Sequence, residues 1–407
     1  MIVEYHAIQS FVPANLNRDD AGAPKSCVFG GVPRARVSSQ SWKRAMRMQF
    51  RDEVDGLVTG VRTKRAHQAL VERQLAANSS LGEEKARHRA AVVLEAKPLD
   101  LGLVAPGKGG EEGAGDEVKT KQLVFFRDRD LDELAAVAAE FGEEIDALTS
   151  TFDAGAADVS GAEESKSKKK KGKATKPVLS KEAANRIKAT MTEPGEAIDV
   201  ALFGRMLAEF PEGNVDAACQ VAHAIGTHRL REDFDFYTAV DDRRPEDTEG
   251  ADMIGTVEFN ASCLYRYAAL DIEQLKHNLG PTAEKADVAA VAGAFTKAFA
   301  TAIPSGKQNT FAARNLPAAL LVTRRLSGAW NLANAFVDPV DGRRGSGGLA
   351  AASVNAMRDQ LAKTIRMFGA KDTPLTGRVL SEVEEPEWGP GIDVVANIED
   401  LIGWSLD

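Results

Sequence analysis

Gln40, Lys43, Arg44, Arg47 and Arg51 stand at i, i+3, i+4, i+7 and i+11, a spacing that puts all five on one side of a helix. Polar and cationic side chains in such a row suit a phosphate backbone. Trp42, Ala45, Met46 and Phe50 fall on the other side and can pack inward. Ser38 or Ser39 precedes the row as an N-cap, whose side-chain oxygen accepts from a first-turn amide. The first-turn amides and the positive end of the helix also favour an anion. An ordinary amphipathic surface helix would share the spacing, but its solvated face usually mixes both signs of charge. Between Ala21 and Arg51 there are seven cations (Lys25, Arg34, Arg36, Lys43, Arg44, Arg47 and Arg51) and no Asp or Glu, in a chain of formal net charge −9. The order Gly30-Gly31, Arg34 to Val37, Ser38-Ser39 and Gln40 to Arg51 reads as a glycine turn, a short basic strand, a cap and a basic helix.

Other residues invite chemistry with plainer alternatives beside it. Pro304 to Thr310 is a second basic and polar turn, in a stretch without an acid from Ala302 to Val337. Gly306 would let backbone amides approach a phosphate and Lys307 adds charge; a plain turn is the alternative. Phe234, Phe236 and Tyr237 could slip between bases or simply pack a hairpin. Asp19 and Asp20 could hold Mg²⁺ for phosphodiester cleavage. Adjacent residues on a strand point apart, however, and a capped turn braced by Arg18 explains the same residues. The histidines do not gather around a nucleophile, and His223 reads as a packed or capping residue four positions after Cys219. No phosphate-binding P-loop is present. Gly204-Arg205-Met206 reads as a piece of helix.

These residues must be positioned by a chain of 407 residues, long enough for one large core or two moderate ones. No apolar run approaches a membrane span, and Met1 to His6 lacks the character of a signal peptide. Cys27, Cys219 and Cys263 are sparse, odd in number and without metal-ligand spacing, which suits a reducing, cytoplasmic setting. Ile2–Phe11 reads as a strand, 13–24 as a loop, and Val28–Val37 as a glycine-broken strand pair before the basic helix. Residues 56–152 read as mostly helical, with a break at 106–117, a strand at 122–126 and a helix at 130–146. Residues 153–177, ending in a lysine run, read as a disordered tether. Helices are expected at 198–210, 216–224, 282–301 and 349–368, strands at 310–325 and 331–337, and a flexible loop at 342–348. A β-hairpin is expected from 225–238 and 255–267 around a charged loop at 241–252. The whole is an α+β core interrupted by a helical insertion.

Taken in order, the motifs resemble one family. Asn15 to Asp20, Phe29-Gly30-Gly31 and Arg36 to Ala45 are similar to the opening of the CasC family, the backbone subunits of type I-E CRISPR Cascade complexes. The resemblance continues through Asp199 to Met206, Ala222 to Ile225, Phe236 to Asp242, Phe259, Tyr265-Arg266-Tyr267, Gly306 to Thr310 and Ala333 to Phe336. It implies a modified RRM-like (ferredoxin-like) palm at 1–55, 191–224 and 260–407. It further implies helical fingers at 56–190, carrying the lysine-rich loop 153–177 as an insertion, and a β-hairpin thumb at 225–259. The implied function is binding CRISPR RNA, copy after copy, so that the kinked guide pairs with target DNA in an R-loop for antiviral defence. Partners would be the guide, target DNA through it, other copies of the chain and other Cascade subunits, with no membrane, no cofactor and no catalysis. Ser38, Gln40, Lys43 and Arg47 would hold guide phosphates, with Arg18, Lys25, Arg44, Lys307 and Gln308 in support. Met206 would pack on a base near the kink, and Phe236 or Tyr237 would wedge the displaced nucleotide. The alternative is a metal-dependent RNA nuclease of the related backbone superfamily, using Asp19 or Asp20.

Overall fold

The computed structural model describes residues 1–53, 58–104, 117–150, 176–195, 197–239, 253–281, 283–326, 328–342, 347–369, 375–383 and 388–404. The lysine run, the hairpin's charged loop and most of the two glycine-containing loops at 106–117 and 342–348 lie outside the described residues. The chain divides into two compact units, one of Met1–Leu57, Ala218–Lys276 and Ala283–Asp407, the other of Val58–Ala217 and His277–Thr282. Residues 191–217, expected in the palm, belong to the second unit.

The chain opens with β1 (Ile2–Ser10), β2 (Ser26–Phe29), β3 (Val32–Val37) and α1 (Ser39–Glu53). The second unit carries β4 (Val61–Thr63), α2 (Ala66–Ala77), α3 (Glu83–Glu95), β5 (Leu103–Val104), β6 (Lys119–Thr120) and β7 (Val124–Phe126). It continues with α4 (Asp128–Glu140), α5 (Gly142–Asp146), α6 (Lys181–Thr192) and α7 (Ile198–Phe203). Then follow β8 (Cys219–Val221), β9 (Ala224–Gly226), β10 (Asp233–Ala239), β11 (Met253–Phe259), β12 (Cys263–Asp271) and α8 (Ile272–Leu279). The chain closes with α9 (Lys285–Thr301), α10 (Gln308–Phe311), β13 (Ala319–Arg325), α11 (Gly348–Phe368), β14 (Thr376–Ser381), β15 (Ile392–Val394) and α12 (Ile398–Trp404).

The first unit is built on a nine-stranded sheet in the order β15-β14-β13-β1-β12-β9-β3-β2, with β8 also paired to β12. Every pairing in it is antiparallel except β14 with β15. Strand β1 lies inside the sheet and is buried along Val3–Gln9 on both faces, so the polar residues of its alternating sequence, Glu4, His6 and Gln9, are buried and hydrogen-bonded. Tyr5 meets Phe295 and Phe299 of α9 at 5.1 and 5.5 Å between ring centres. Ile8 belongs to a separate cluster with Tyr265, Phe336, Met357 and Leu361, which joins the sheet to α11.

Helix α1 buries Trp42, Met46 and Phe50, which are 1, 0 and 0% exposed. Their spacing of four makes one apolar stripe, each side chain contributing about 1.5–3 kcal/mol by leaving water. Arg266 of β12 fixes this stripe to the sheet. Its guanidinium lies 3.7 Å from the Trp42 ring centre and 4.5 Å from that of Phe299. It donates to Gln9 Oε1 and to the Phe299 carbonyl, both at 2.6 Å. Burial brings its pKa down to about 9.

Several sequence expectations need correction. Residues 216–224, alanine-rich and read as helix, form β8 and the start of β9, because pairing along β12 outweighs a weak local preference. The helix expected at 198–210 ends at Phe203. There Gly204 takes φ +76°, and a β-carbon on it would lie 2.7 Å from the Val215 carbonyl oxygen. Residues 331–337, read as strand, make a 3₁₀ turn at Leu332–Phe336, with the Asn331 side chain accepting from the Ala333 amide. The strand expected from Thr310 begins only at Ala319, since α10 occupies the start of that stretch.

The second unit packs α2, α3, α4 and α6 around a core that includes Leu70, Val93, Leu94, Phe126, Leu134 and Ile187. One of its buried carboxylates, Asp130, is bound by Arg127 and, at 2.9 Å, by Arg205. Arg205 also donates to the carbonyls of Gly213 and Met191. The middle residue of Gly204-Arg205-Met206 is therefore a core brace, and the segment is not helical.

Candidate nucleic-acid interface

The basic run divides into structural and available cations. Arg34 is wholly buried. Its Nη1 donates to the carbonyls of Gly226 and Thr227, and its Nη2 to those of Phe336 and Val337, at 2.8–3.1 Å. It ties β3 to the 3₁₀ turn and offers nothing to a ligand. Arg36, two residues further along the same strand face, is only half-buried. Lys25 lies beside it, the Arg36 amide donating to the Lys25 carbonyl and the Lys25 amide to the Asn17 carbonyl.

The N-terminus of α1 is closed more fully than its sequence suggests. Ser38 is the cap: its Oγ accepts from the Ser41 amide at 3.3 Å, and the residue is 7% exposed. Asn17 Oδ1 accepts from the Ser38 amide at 2.8 Å, and His223 Nδ1 from the Ser39 amide at 2.9 Å. The amides expected to face an anion are thus partly taken by the protein. Along the helix Gln40 and Arg44 are exposed, while Lys43 and Arg47 are half-buried. Lys43 is near enough to β8 to act on the Cys219 thiol, which burial nevertheless pushes well up.

The second turn reaches the same place. A β-carbon on Gly306 would lie 2.3 Å from the Leu16 carbonyl oxygen and 2.8 Å from that of Asn15. Glycine is required here because two backbones touch, rather than to admit a phosphate. Lys307 adopts φ +51° and starts α10. Gln308 spends its amide on the carbonyls of Pro304 and Ala313, both at 3.1 Å, bracing the turn. Phe311 meets Phe259 of β11 at 5.5 Å, and Asn15 Nδ2 donates to the Glu258 carbonyl at 2.9 Å. Loop 11–24, turn 304–312 and the base of the β10–β11 hairpin therefore form one connected surface. Arg18, Lys25, Arg44 and Lys307 make no ion pair among the described residues.

On the hairpin, Phe234 and Phe236 are 57 and 73% exposed and share a face, two residues apart. Tyr237 points to the other face and covers Gly255, its cross-strand partner. Met206, in the second unit, is 82% exposed between the anchored Arg205 and Leu207. Asp19 Oδ1 accepts from the amides of Ala21 and Ala23, both at 2.9 Å, which is the capped-turn alternative. Among the described residues no group of three or more His, Cys, Asp or Glu is placed to hold a metal ion.

Sequence reasoning missed Asn17 as an amide acceptor and Arg34 as a core residue. A capping role for His223 was legible, but the helix it caps was not. Its imidazole pKa is held below the ordinary value, first by desolvation and then by the nearby Arg36 and Lys25.

The chain superposes on a chain of a "CRISPR RNA-guided surveillance complex, pre-nicking" with a TM-score of 0.78 and 28% identity, covering 100% of each. A chain of a "CRISPR RNA-guided surveillance complex" shares the fold at a TM-score of 0.69 and 23% identity, with 99% of each covered. No curated protein matches. The model of one family, described as CT1975-like protein, matches residues 3–404, and the chain belongs to that family.

Proposed function

We propose that this chain is the CRISPR-RNA-binding backbone subunit of a Cascade-type surveillance complex, of type I-E. The observation that carries the reading is the connected surface of the first unit. Loop 11–24, the start of α1 and turn 304–312 bring Lys25, Arg36, Gln40, Arg44 and Lys307 onto it, with Arg18 at its loop. The spatial order β13-β1-β12 with β8 and β9 beyond, crossed by α1 and α9, supports a modified RRM-like palm. The β10–β11 hairpin is the thumb, and Phe236 on its exposed face is the wedge that unstacks a nucleotide. Phosphates supply affinity while the guide's bases remain free to pair with target DNA. Copies stack along one guide beside other Cascade subunits, so modest contacts multiply by avidity.

The role needs no cleavage chemistry. Asp19 serves the turn through its two amide bonds, and a protein that only presents the guide leaves cutting to another component. The chain would act in the cytoplasm, where guide and invading DNA meet.

Co-expression with a CRISPR array and the neighbouring genes tests this. Processed repeat–spacer RNA in a multi-copy complex is expected; a nucleic-acid-free monomer refutes it. In that complex Phe236→Ala should weaken guide binding by about 1–3 kcal/mol per wedged base, and Tyr237→Ala should not. Mg²⁺-dependent cleavage of a paired target, lost in Asp19→Ala or Asp20→Ala, would instead establish the nuclease.

A further inference from the structure

We propose that His223 is itself a phosphate-contacting residue of this interface, donating through Nε2–H while its Nδ1 holds the first amide of α1. The inference rests on the RNA-binding reading above and deepens it.

The tautomer follows from geometry. Nδ1 accepts from the Ser39 amide at 2.9 Å, so it presents a lone pair. In the neutral ring the proton must then sit on Nε2. The residue is exposed, and Nε2 has no partner among the described residues. Its place is set by the sheet: Ala224 pairs with Val37 and Ile225 with Arg36, which puts His223 level with the cap residue Ser38. Arg36 and Lys25 are close enough to disfavour a third positive charge on the ring. An anion drawn to the start of α1 finds the Ser39 amide already occupied and meets the imidazole that occupies it. The ligand class is a phosphodiester of single-stranded RNA, held by one neutral donor between two cations.

A neutral donor and a cation leave different marks. Neutralising a phosphate with lysine releases counterions, so losing that lysine lowers the salt slope of binding by about 0.7 for a single strand. Losing a neutral donor lowers affinity and leaves the slope unchanged. The test uses the full chain, a single-stranded RNA oligonucleotide and a salt titration. His223→Asn keeps an acceptor where Nδ1 was and removes the Nε2 donor. His223→Gln places an amide donor near the Nε2 position and gives up the acceptor.

We expect His223→Asn to bind about three- to tenfold more weakly at every salt concentration, with unchanged slope and unchanged Tm. His223→Gln should bind more tightly than His223→Asn although it melts lower. Lys25→Ala should lower the slope. Wild-type affinity in His223→Asn, or the reverse order of the two His223 variants, overturns the proposal and leaves His223 a cap alone. If the wild-type chain shows no salt-dependent RNA binding, the RNA-binding reading fails and this proposal falls with it.

Discussion

Gly306→Ala tests whether the two basic turns are one surface. The added β-carbon would lie 2.3 Å from the Leu16 carbonyl oxygen and 2.7 Å from its carbon, both backbone atoms that cannot rotate away. Ordinary carbon contacts lie near 3.5 Å, so the two segments must part by about 1 Å. Forcing an extra methyl into a packed contact costs about 1–3 kcal/mol. That should lower Tm by roughly 2–10 °C in a domain of this size. The displacement also carries Lys307 away from Lys25 and Arg36 and disturbs the Phe311–Phe259 contact at the hairpin base. A salt titration of RNA binding should therefore lose about 0.7 in slope, as one phosphate contact goes. Lys307→Ala added to Gly306→Ala should take away little more, because both act through the same contact. Gly22→Ala is the control: φ there is +89° but no atom stands within 4 Å of the new carbon, so it strains the chain without moving the turn. Wild-type Tm and slope in Gly306→Ala would refute the reasoning, since the turns could not then be in contact as described.

Two further outcomes follow from buried groups. Arg34→Met takes a guanidinium donor from four carbonyl oxygens, of which that of Thr227 keeps another, the Val340 amide, and should cost at least about 3 kcal/mol in urea unfolding. The salt slope of RNA binding should be unchanged in the folded fraction; a reduced slope would make Arg34 a phosphate contact after all. His6 is buried against the Tyr265 hydroxyl, and burial lowers its pKa to about 3. The unfolded chain binds this proton near pH 6.5 and the folded chain does not. The stabilisation is therefore complete above about pH 6.5 and declines by up to about 1.4 kcal/mol per pH unit below it. Urea midpoints between pH 6.5 and 5 should fall with this slope, and His6→Asn should flatten it by about one proton. Equal slopes in the two proteins would show that His6 titrates freely in the fold.

Patterns carried by neighbouring residues were open to reading from the sequence alone. The row from Gln40 to Arg51 and the stripe of Trp42, Met46 and Phe50 lie on one helix, so their spacing determined their faces. Strand β1 and α11 were legible for the same reason, since each keeps one period over its length. The hairpin was legible only in part, because the runs read as its strands, 225–238 and 255–267, also hold β9 and part of β12, which pair within the nine-stranded sheet. The Asp19 turn was visible as an alternative because an Asx cap uses residues two and four positions away. What depended on tertiary structure joins residues far apart in the chain. Arg34 looked like part of the basic run, and only the carbonyls of Gly226, Thr227, Phe336 and Val337 made it core. Residues 216–224 have helical composition, and only the edge offered by β12 made them strands. Gly306 was read as an opening for phosphate, and only the approach of Leu16 showed what its missing side chain accommodates. His223 could be suspected as a cap, but its helix begins 184 residues earlier. Local spacing fixes which way a side chain points along its own element; which backbone it meets there depends on loops closing over hundreds of residues, where many weak contacts must agree at once.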